Sequence, residues 1–148
     1  MSQVDKVFKI LGLEGIYELM PPQIPQELQI VNIIRQGFPA AAAKRVAEYY
    51  GITEARLAGL LGSSDRTLSR RKKEDKPLDA TESDRLYRLA RIGARALEVF
   101  EDENTARKWL NRPNRALGGT VPVEILDTDA GTEQVDEVLT RIEYGVYS

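Results

Sequence analysis

The sequence predicts an all-α protein, in which an N-terminal helix-turn-helix bundle is followed by a small C-terminal helical domain. Apolar residues recur at the three- and four-residue spacing of helices along most of the chain. No stretch shows the sustained alternation of apolar and polar residues that predicts a half-buried strand. Breaks rich in proline and glycine, such as 20–25 and 111–122, separate segments of helix length. We therefore predict three parts: an N-terminal helix with an extended segment (1–25), the helix-turn-helix domain (26–80) and a C-terminal domain that includes its long leading helix (81–148).

The composition argues against several classes of protein. The chain has 148 residues with no cysteine and no histidine, so disulfides, zinc-thiolate sites and the commonest general base are all missing. There is no glycine-rich phosphate loop, and we therefore expect a protein that is not an enzyme and needs neither a cofactor nor a metal. No apolar run approaches the ~18 residues of a membrane span. The first residues also lack the pattern of a signal peptide. The absence of cysteine favours a cytoplasmic setting, and we expect no membrane contact.

Charge is distributed unevenly along the chain. Residues 1–97 hold 16 Lys and Arg against 12 Asp and Glu, a net charge of +4, whereas residues 98–148 hold 5 against 11, a net charge of −6. This asymmetry indicates two surfaces with different partners, although two solvated faces of random charge are the alternative.

The N-terminal half divides into four predicted helices. The first two precede Gly37, and Pro39 opens an alanine-rich helix that Gly51 ends. Thr53 is the expected N-cap of the fourth. Helical spacing predicts these buried residues: Val4, Val7, Phe8 and Leu11 in the first helix; Leu28, Val31 and Ile34 in the second; Ala43, Val46, Ala47 and Tyr50 in the third; Leu57, Ala58, Leu60 and Leu61 in the fourth.

The C-terminal half predicts one long helix and three shorter elements. The stretch "TESD" (81–84) resembles a capping box, and it would open a long helix reaching about Glu101. A short helix ends near Leu110, Pro122 starts one turn, and a last helix runs from about Thr132 to Tyr144. The predicted inward residues are Leu86, Leu89, Ala90, Gly93, Leu97 and Phe100 in the long helix, and Val135, Val138, Leu139 and Ile142 in the last.

Residues 54–73 match the helix-turn-helix pattern. Ala58 is the small residue at which two helices approach, and Gly62 falls at the turn, where a positive φ is useful. Leu68 would pack from the second helix. A second inward apolar residue is usual three positions later, but Arg71 stands there, so the second helix is expected to pack with a different tilt.

The second helix of this motif has the chemistry of a DNA-recognition helix. Five basic residues and no acid lie between Arg66 and Lys73, and arginine can bond guanine bidentately in the major groove. Four arginines on the following helix would add phosphate contacts, Arg88 among them. A merely solvated polar helix is the alternative. The predicted DNA-binding residues are Ser63, Ser64, Arg66, Thr67, Ser69, Arg70, Arg71, Lys72, Lys73 and Arg88.

The C-terminal block, 116–148, contains too few residues to close a core of its own. It must pack on the long helix, on a second copy or on a partner. Tyr144 and Tyr147 have the large area and few rotatable bonds of interface anchors, but they could equally fold back over this protein's own core. A homodimer is expected for a helix-turn-helix protein, and Val135, Val138 and Leu139 are candidates for its interface.

The stretch "LGGTVPVEILDTDAGTEQVDEVLTRIEYGVYS" (117–148) resembles the toxin-binding domain of the Xre/MbcA/ParS antitoxin family. The family's pattern combines a glycine pair, a proline, a "LLDT"-like stretch, a glycine and an amphipathic helix that ends close to "RIxYGVYS". The resemblance extends over 96–148, with Ile125 where leucine is usual, and 26–85 resemble the preceding Xre-like helix-turn-helix. Residues 1–25 are not covered.

This resemblance implies a concrete function. Family members neutralise a companion toxin, commonly of the RES type, which resembles ADP-ribosyltransferases and destroys NAD. The C-terminal domain obstructs the toxin's active site, and the helix-turn-helix binds the operator of the antitoxin's own operon. The implied toxin-binding residues are Asp127, Thr128, Arg141, Tyr144, Gly145, Val146, Tyr147 and Ser148. The alternative is a plain repressor whose C-terminal block dimerises or senses a small molecule.

Overall fold

A computed structural model describes residues 2–16 and 22–145, and the regular structure within them is helical, as predicted. The predicted toxin-binding residues Val146, Tyr147 and Ser148 lie outside the described residues. The α-helices of the described part are α1 (Gln3–Leu11), α2 (Gln26–Gln36), α3 (Ala41–Tyr50), α4 (Glu54–Leu60), α5 (Asp65–Lys73), α6 (Ala80–Phe100), α7 (Glu103–Leu110) and α8 (Asp129–Glu143). Two 3-10 turns, Arg115–Leu117 and Pro122–Ile125, connect α7 to α8.

Helix α6 is the centre of the fold. It contacts α1, α2, α3, α7 and α8, and one continuous hydrophobic core surrounds it. Two tyrosines of α3 attach to its backbone, because the Tyr49 hydroxyl donates to the Gly93 carbonyl at 2.9 Å and the Tyr50 hydroxyl donates to the Leu89 carbonyl at 2.6 Å. Burial raises the pKa of Tyr49 to about 12, so this hydroxyl keeps its proton and remains a donor.

Capping decides where the helices begin. The Thr53 hydroxyl accepts the Arg56 N–H at 3.0 Å, as predicted for the N-cap of α4. Helix α6 begins earlier than predicted, because Asp79 and Glu82 form its capping box. Helix α8 also begins earlier, because the Thr128 hydroxyl accepts the Gly131 N–H at 2.9 Å. For α6 the sequence offered the stretch 81–84 as a second plausible capping box just downstream of the real one.

The buried face of α2 differs from the predicted one. Leu28 is 54% exposed and Val31 is 38% exposed, whereas Ile30 and Ile33 point into the core. Apolar residues occupy two overlapping faces of this helix, and each set has helical spacing. Periodicity therefore detected the helix, but only packing against α6 selected the face that is buried.

The C-terminal block packs on α6, the first of the three possibilities that its size left open. Val135 and Leu139 of α8 are fully buried in the common core, together with Leu126. Outside the core, the Arg95 guanidinium binds both carboxylate oxygens of Glu143, at 2.8 and 2.9 Å. These bonds lower the pKa of the Glu143 carboxyl and fix the C-terminal end of α8 against α6.

We predict that Gly131→Ala destabilises the protein. A Cβ atom at this position would lie 1.9 Å from the Ile125 carbonyl oxygen, so the turn before α8 would have to move. The expected loss is about 2 kcal/mol or more in the free energy of unfolding, measured by denaturant titration. The matched control is Gly59→Ala in α4, where nothing lies within 4 Å of the added Cβ. That change should stabilise the fold by about 0.5–1 kcal/mol, and equal effects of the two changes would contradict the packing described.

Candidate functional site

The first candidate site is the helix-turn-helix formed by α4 and α5. Gly62 adopts φ +70 at the turn, and the Ser63 N–H donates to the Ala58 carbonyl at 2.9 Å. Ala58 is fully buried where the helices approach, and Leu68 anchors α5 from below. The turn therefore has the predicted geometry, and the opposite face of α5 is directed to solvent.

The outward face of α5 carries a set of cations without acidic partners. Arg66, Arg70, Lys72 and Lys73 are exposed, and among residues 2–16 and 22–145 none of them forms an ion pair. They line a shallow depression together with Ser69 and with Glu54 of α4. A positive, open helix face next to a second helix is suited to the DNA major groove.

One further unpaired cation extends this basic surface: Arg35 at the end of α2 lines a cavity beside Arg70. Lys76 lines the same cavity but pairs with Glu74 at 3.3 Å. Sequence reasoning missed them because they lie outside the helix-turn-helix pattern. The only signal was their charge, since a residue 35 positions before Arg70 joins its surface through tertiary packing.

Two of the hydroxyl groups predicted to contact DNA form hydrogen bonds inside the helix-turn-helix instead. The Ser64 hydroxyl accepts the Thr67 N–H at 3.1 Å as the N-cap of α5 and donates to the Thr67 hydroxyl at 2.9 Å. Ser63 is half-buried in the turn. Ser69, in contrast, is exposed on the outward face. Ser64 and Thr67 therefore orient the first turn of α5, and Ser69 is the hydroxyl presented outward.

Arg71 is not on the outward face of α5, although the sequence predicted it as a DNA contact. Its guanidinium pairs with Glu82 and reaches Asp79 at 3.7 Å, so it joins α5 to the capping box of α6. Glu82 is only 5% exposed. A buried ion pair thus occupies the place where helix-turn-helix proteins usually have an apolar side chain, and we leave Arg71 out of the outward surface.

The arginine stripe of α6 also faces inward. Arg85 donates to the Leu61 carbonyl at 2.9 Å, and Arg88 donates to the Leu126 carbonyl at 3.3 Å. Arg91 lies 3.7 Å from Asp136 of α8. These side chains attach α6 to the helix-turn-helix and to the C-terminal block. Because Arg88 is occupied in this way, we also leave it out of the DNA surface.

The second candidate site is the end of α8. Tyr144 follows the last helical residue and is 75% exposed, so this ring does not fold back over the core. Gly145 follows with φ +69. Arg141 pairs with Glu137 one turn earlier at 2.6 Å. At the other end of the helix Asp127 is exposed, while the Thr128 hydroxyl is used as the N-cap of α8.

The residues predicted for a dimer interface are buried and not exposed on α8. Val135 and Leu139 are fully buried, and Val138 is 6% exposed. Their shared helix face packs on α6, so these side chains are not accessible to a second copy without opening the core.

Comparison with known proteins connects both sites to one family. A profile described as "Antitoxin Xre-like helix-turn-helix domain" matches residues 29–91, and one described as "Antitoxin Xre/MbcA/ParS C-terminal toxin-binding domain" matches 95–145. A Pseudomonas putida protein named "Antitoxin Xre" is 35% identical over 124 residues, which are 84% of this chain and 77% of that protein. The chain belongs to the Xre antitoxin family.

Two other relatives of this Xre antitoxin chain agree with the assignment. An "Antitoxin Xre" of Yersinia enterocolitica is 29% identical over 120 residues, 80% of this chain and 81% of the relative. A "Prs ADP-ribosylating antitoxin" of a Sphingobium strain is 24% identical over 127 residues, 80% of each protein.

The two family matches in this Xre antitoxin chain meet within a single helix. The first ends at residue 91 and the second begins at residue 95, and both positions belong to α6. The helix-turn-helix and the toxin-binding domain therefore share one rigid element and one core.

Of the helices in residues 2–16 and 22–145, none combines the length and the apolar character needed to cross a membrane. The same residues contain no group of three or more acidic side chains placed to hold a metal ion.

Proposed function

We propose that this chain neutralises a NAD-consuming toxin of the RES type with the end of α8, and represses its own operon with α5. The observation that carries the proposal is the exposed Tyr144 ring, which stands at the end of a helix within the region matched by the toxin-binding domain. The name of the Sphingobium relative joins an antitoxin to ADP-ribosylation, the chemistry that RES-type toxins resemble. Both partners would be met in the cytoplasm, and the chain itself would act without catalysis or a cofactor.

The structure supports a steric mechanism of inhibition. The bidentate contact between Arg95 and Glu143 holds the last turn of α8 on α6, so Tyr144 is presented from a fixed helix end. A preordered support lowers the entropy that binding costs. Tyr144 would enter the toxin's active-site entrance as an aromatic anchor and exclude NAD from it.

The remaining proposed toxin contacts are drawn from both ends of α8. They are Asp127, Arg141 and Gly145, with Thr128 contributing through the helix start that it caps, and Val146, Tyr147 and Ser148 beyond the described residues. The experiment that tests this part is coexpression with a RES-type toxin, followed by measurement of growth and cellular NAD.

The second part of the proposal places α5 in the major groove of the operator. Arg66 and Arg70 would contact base edges, while Lys72 and Lys73 would contact phosphates. A homodimer would present two such helices to two half-sites.

We predict that Arg66→Ala and Arg70→Ala each weaken operator binding by about 1–3 kcal/mol, roughly 5- to 150-fold, if these side chains read bases. Lys73→Ala should weaken binding to all sequences and reduce the salt dependence. Fluorescence anisotropy with operator and scrambled duplexes at several salt concentrations measures both effects. The matched control is Arg112→Ala, which removes an exposed arginine after α7. If Arg66, Arg70 and Arg112 variants all bind alike, α5 is not the recognition helix.

A further inference from the structure

The outer face of α2 presents apolar side chains to solvent. Of the three large apolar side chains classed as exposed in the described residues, two are Leu28 and Val31 of this helix, and the third is Tyr144. Ile34 lies beside them, half-buried at the edge of the core. The exposed Glu27 and Arg35 flank them at the two ends of the helix. We call these five residues of α2 (Glu27, Leu28, Val31, Ile34 and Arg35) the α2 patch.

The α2 patch is self-complementary about Val31. Glu27 lies four residues before Val31 and Arg35 lies four residues after it, so all three share one helix face. Leu28 and Ile34 are related in the same way at three residues. A two-fold axis perpendicular to the helix at Val31 exchanges each position with its counterpart. In an antiparallel pair of α2 helices, Val31 would therefore meet Val31, Leu28 would meet Ile34, and Glu27 would meet Arg35.

The charges of the α2 patch are unpaired in the part of the chain that the structure describes. Among residues 2–16 and 22–145, neither Glu27 nor Arg35 forms an ion pair. Two copies related by the two-fold axis would form two such pairs at once, one at each end of the apolar contact. This arrangement favours the antiparallel pair and disfavours the parallel one, which would place like charges together.

We propose that the α2 patch is the dimer interface of this chain, with α2 of a second copy packed antiparallel across a two-fold axis at Val31. The contact gives the homodimer of the proposed function its surface, but its test uses neither DNA nor toxin, so either idea can fail without the other. One pair of three-turn helices is a small contact beside the ~800 Å² per partner of a standard interface, so we expect a weak dimer whose population depends on concentration. Of the α2 patch, Arg35 also lines the cavity beside Arg70, so the two surfaces adjoin at this residue.

The test is sedimentation velocity on the full chain over a concentration range on the order of 1–200 µM. Glu27→Arg and Arg35→Glu each place like charges at both ends of the interface and should raise the dimer dissociation constant about 10-fold. The double variant E27R/R35E restores opposite pairs and should return the constant close to that of the unchanged chain. Val31→Glu should give a monomer at all concentrations.

Glu48→Arg is the matched control. Glu48 is exposed on α3, and the same change of charge there should leave sedimentation unchanged. Circular dichroism should show an intact helical fold in every variant. The proposal is overturned if the unchanged chain stays monomeric, or if E27R/R35E dissociates as readily as the single variants. It is equally overturned if Arg35→Glu leaves sedimentation unchanged, since Arg35 would then have no role at the interface.

Discussion

A chain that ends at Glu143 should fold and bind its operator but fail to protect cells from the toxin. This truncation keeps all of α8, including the Glu143 contact to Arg95, and removes Tyr144 together with the residues after it. Loss of one aromatic interface anchor costs about 2 kcal/mol or more, roughly a 30-fold loss of affinity, and the truncation removes two tyrosines. Growth and NAD content of cells that coexpress a RES-type toxin measure the effect.

The truncation is placed after Glu143 because a shorter chain would lose residues of the hydrophobic core. A chain that ends at Asn114 would lose Leu126, Val135 and Leu139, which are fully buried, and would fail for reasons of stability. Two point variants refine the result. Tyr144→Ala should reproduce most of the loss, while Tyr144→Phe keeps the ring and shows what the hydroxyl contributes. Full protection by the chain that ends at Glu143 would mean that the end of α8 is not the inhibitory element.

The second large effect concerns the ion pair between α5 and α6. Arg71→Leu should lower the free energy of unfolding by about 3 kcal/mol, because it leaves the Glu82 carboxylate buried without its cation. The value lies at the lower end of the usual range, since the Asp79 N–H still donates to Glu82 at 3.0 Å. The double variant R71L/E82Q should recover most of the loss, because it removes the buried charge and keeps an acceptor for that N–H.

Arg70→Leu is the matched control for this stability effect. Arg70 is the exposed neighbour of Arg71, so its replacement should change the free energy of unfolding by about 0.5 kcal/mol or less. Equal destabilisation by Arg70→Leu and Arg71→Leu would contradict the assignment of the ion pair. Denaturant titration followed by circular dichroism measures all four proteins.

The ion pair between Arg71 and Glu82 can also be tested through operator binding, because the two possible roles of Arg71 predict changes of opposite direction. If the pair positions α5, Glu82→Gln should weaken operator binding about 3- to 10-fold, since recognition requires placement within about 0.5 Å. If Arg71 instead contacts a phosphate, Glu82→Gln frees its guanidinium and should strengthen binding. Glu82 is buried and cannot reach DNA itself, so the direction of the change separates the two roles.

Both predictions depend on α6. The helix carries Glu82, which receives α5, and Arg95, which receives the end of α8. The proposed operator-binding and toxin-binding surfaces are therefore attached to opposite parts of one rigid element. A variant that loosens one attachment can leave the other intact, which is why operator binding serves as the folding control for toxin neutralisation.

The sequence by itself determined the helical class, the order of the helices and the position of the helix-turn-helix. These follow from local physics: the spacing of apolar residues, the capping hydroxyl of Thr53 and the positive φ at Gly62 are properties of neighbouring residues. The family pattern of the last 32 residues likewise indicated the C-terminal domain, because that pattern depends only on the identity and order of the residues.

Tertiary structure alone decided how charged and apolar faces are used. The sequence predicted Arg71 and Arg88 as DNA contacts. No neighbouring residue indicates that Arg71 pairs with Glu82, or that Arg88 donates to the Leu126 carbonyl. Leu28 was predicted to be buried because periodicity alone cannot tell which apolar face of α2 packs against α6. An arginine at helical spacing looks the same whether it faces a phosphate or a carboxylate, and only long-range packing chooses between them.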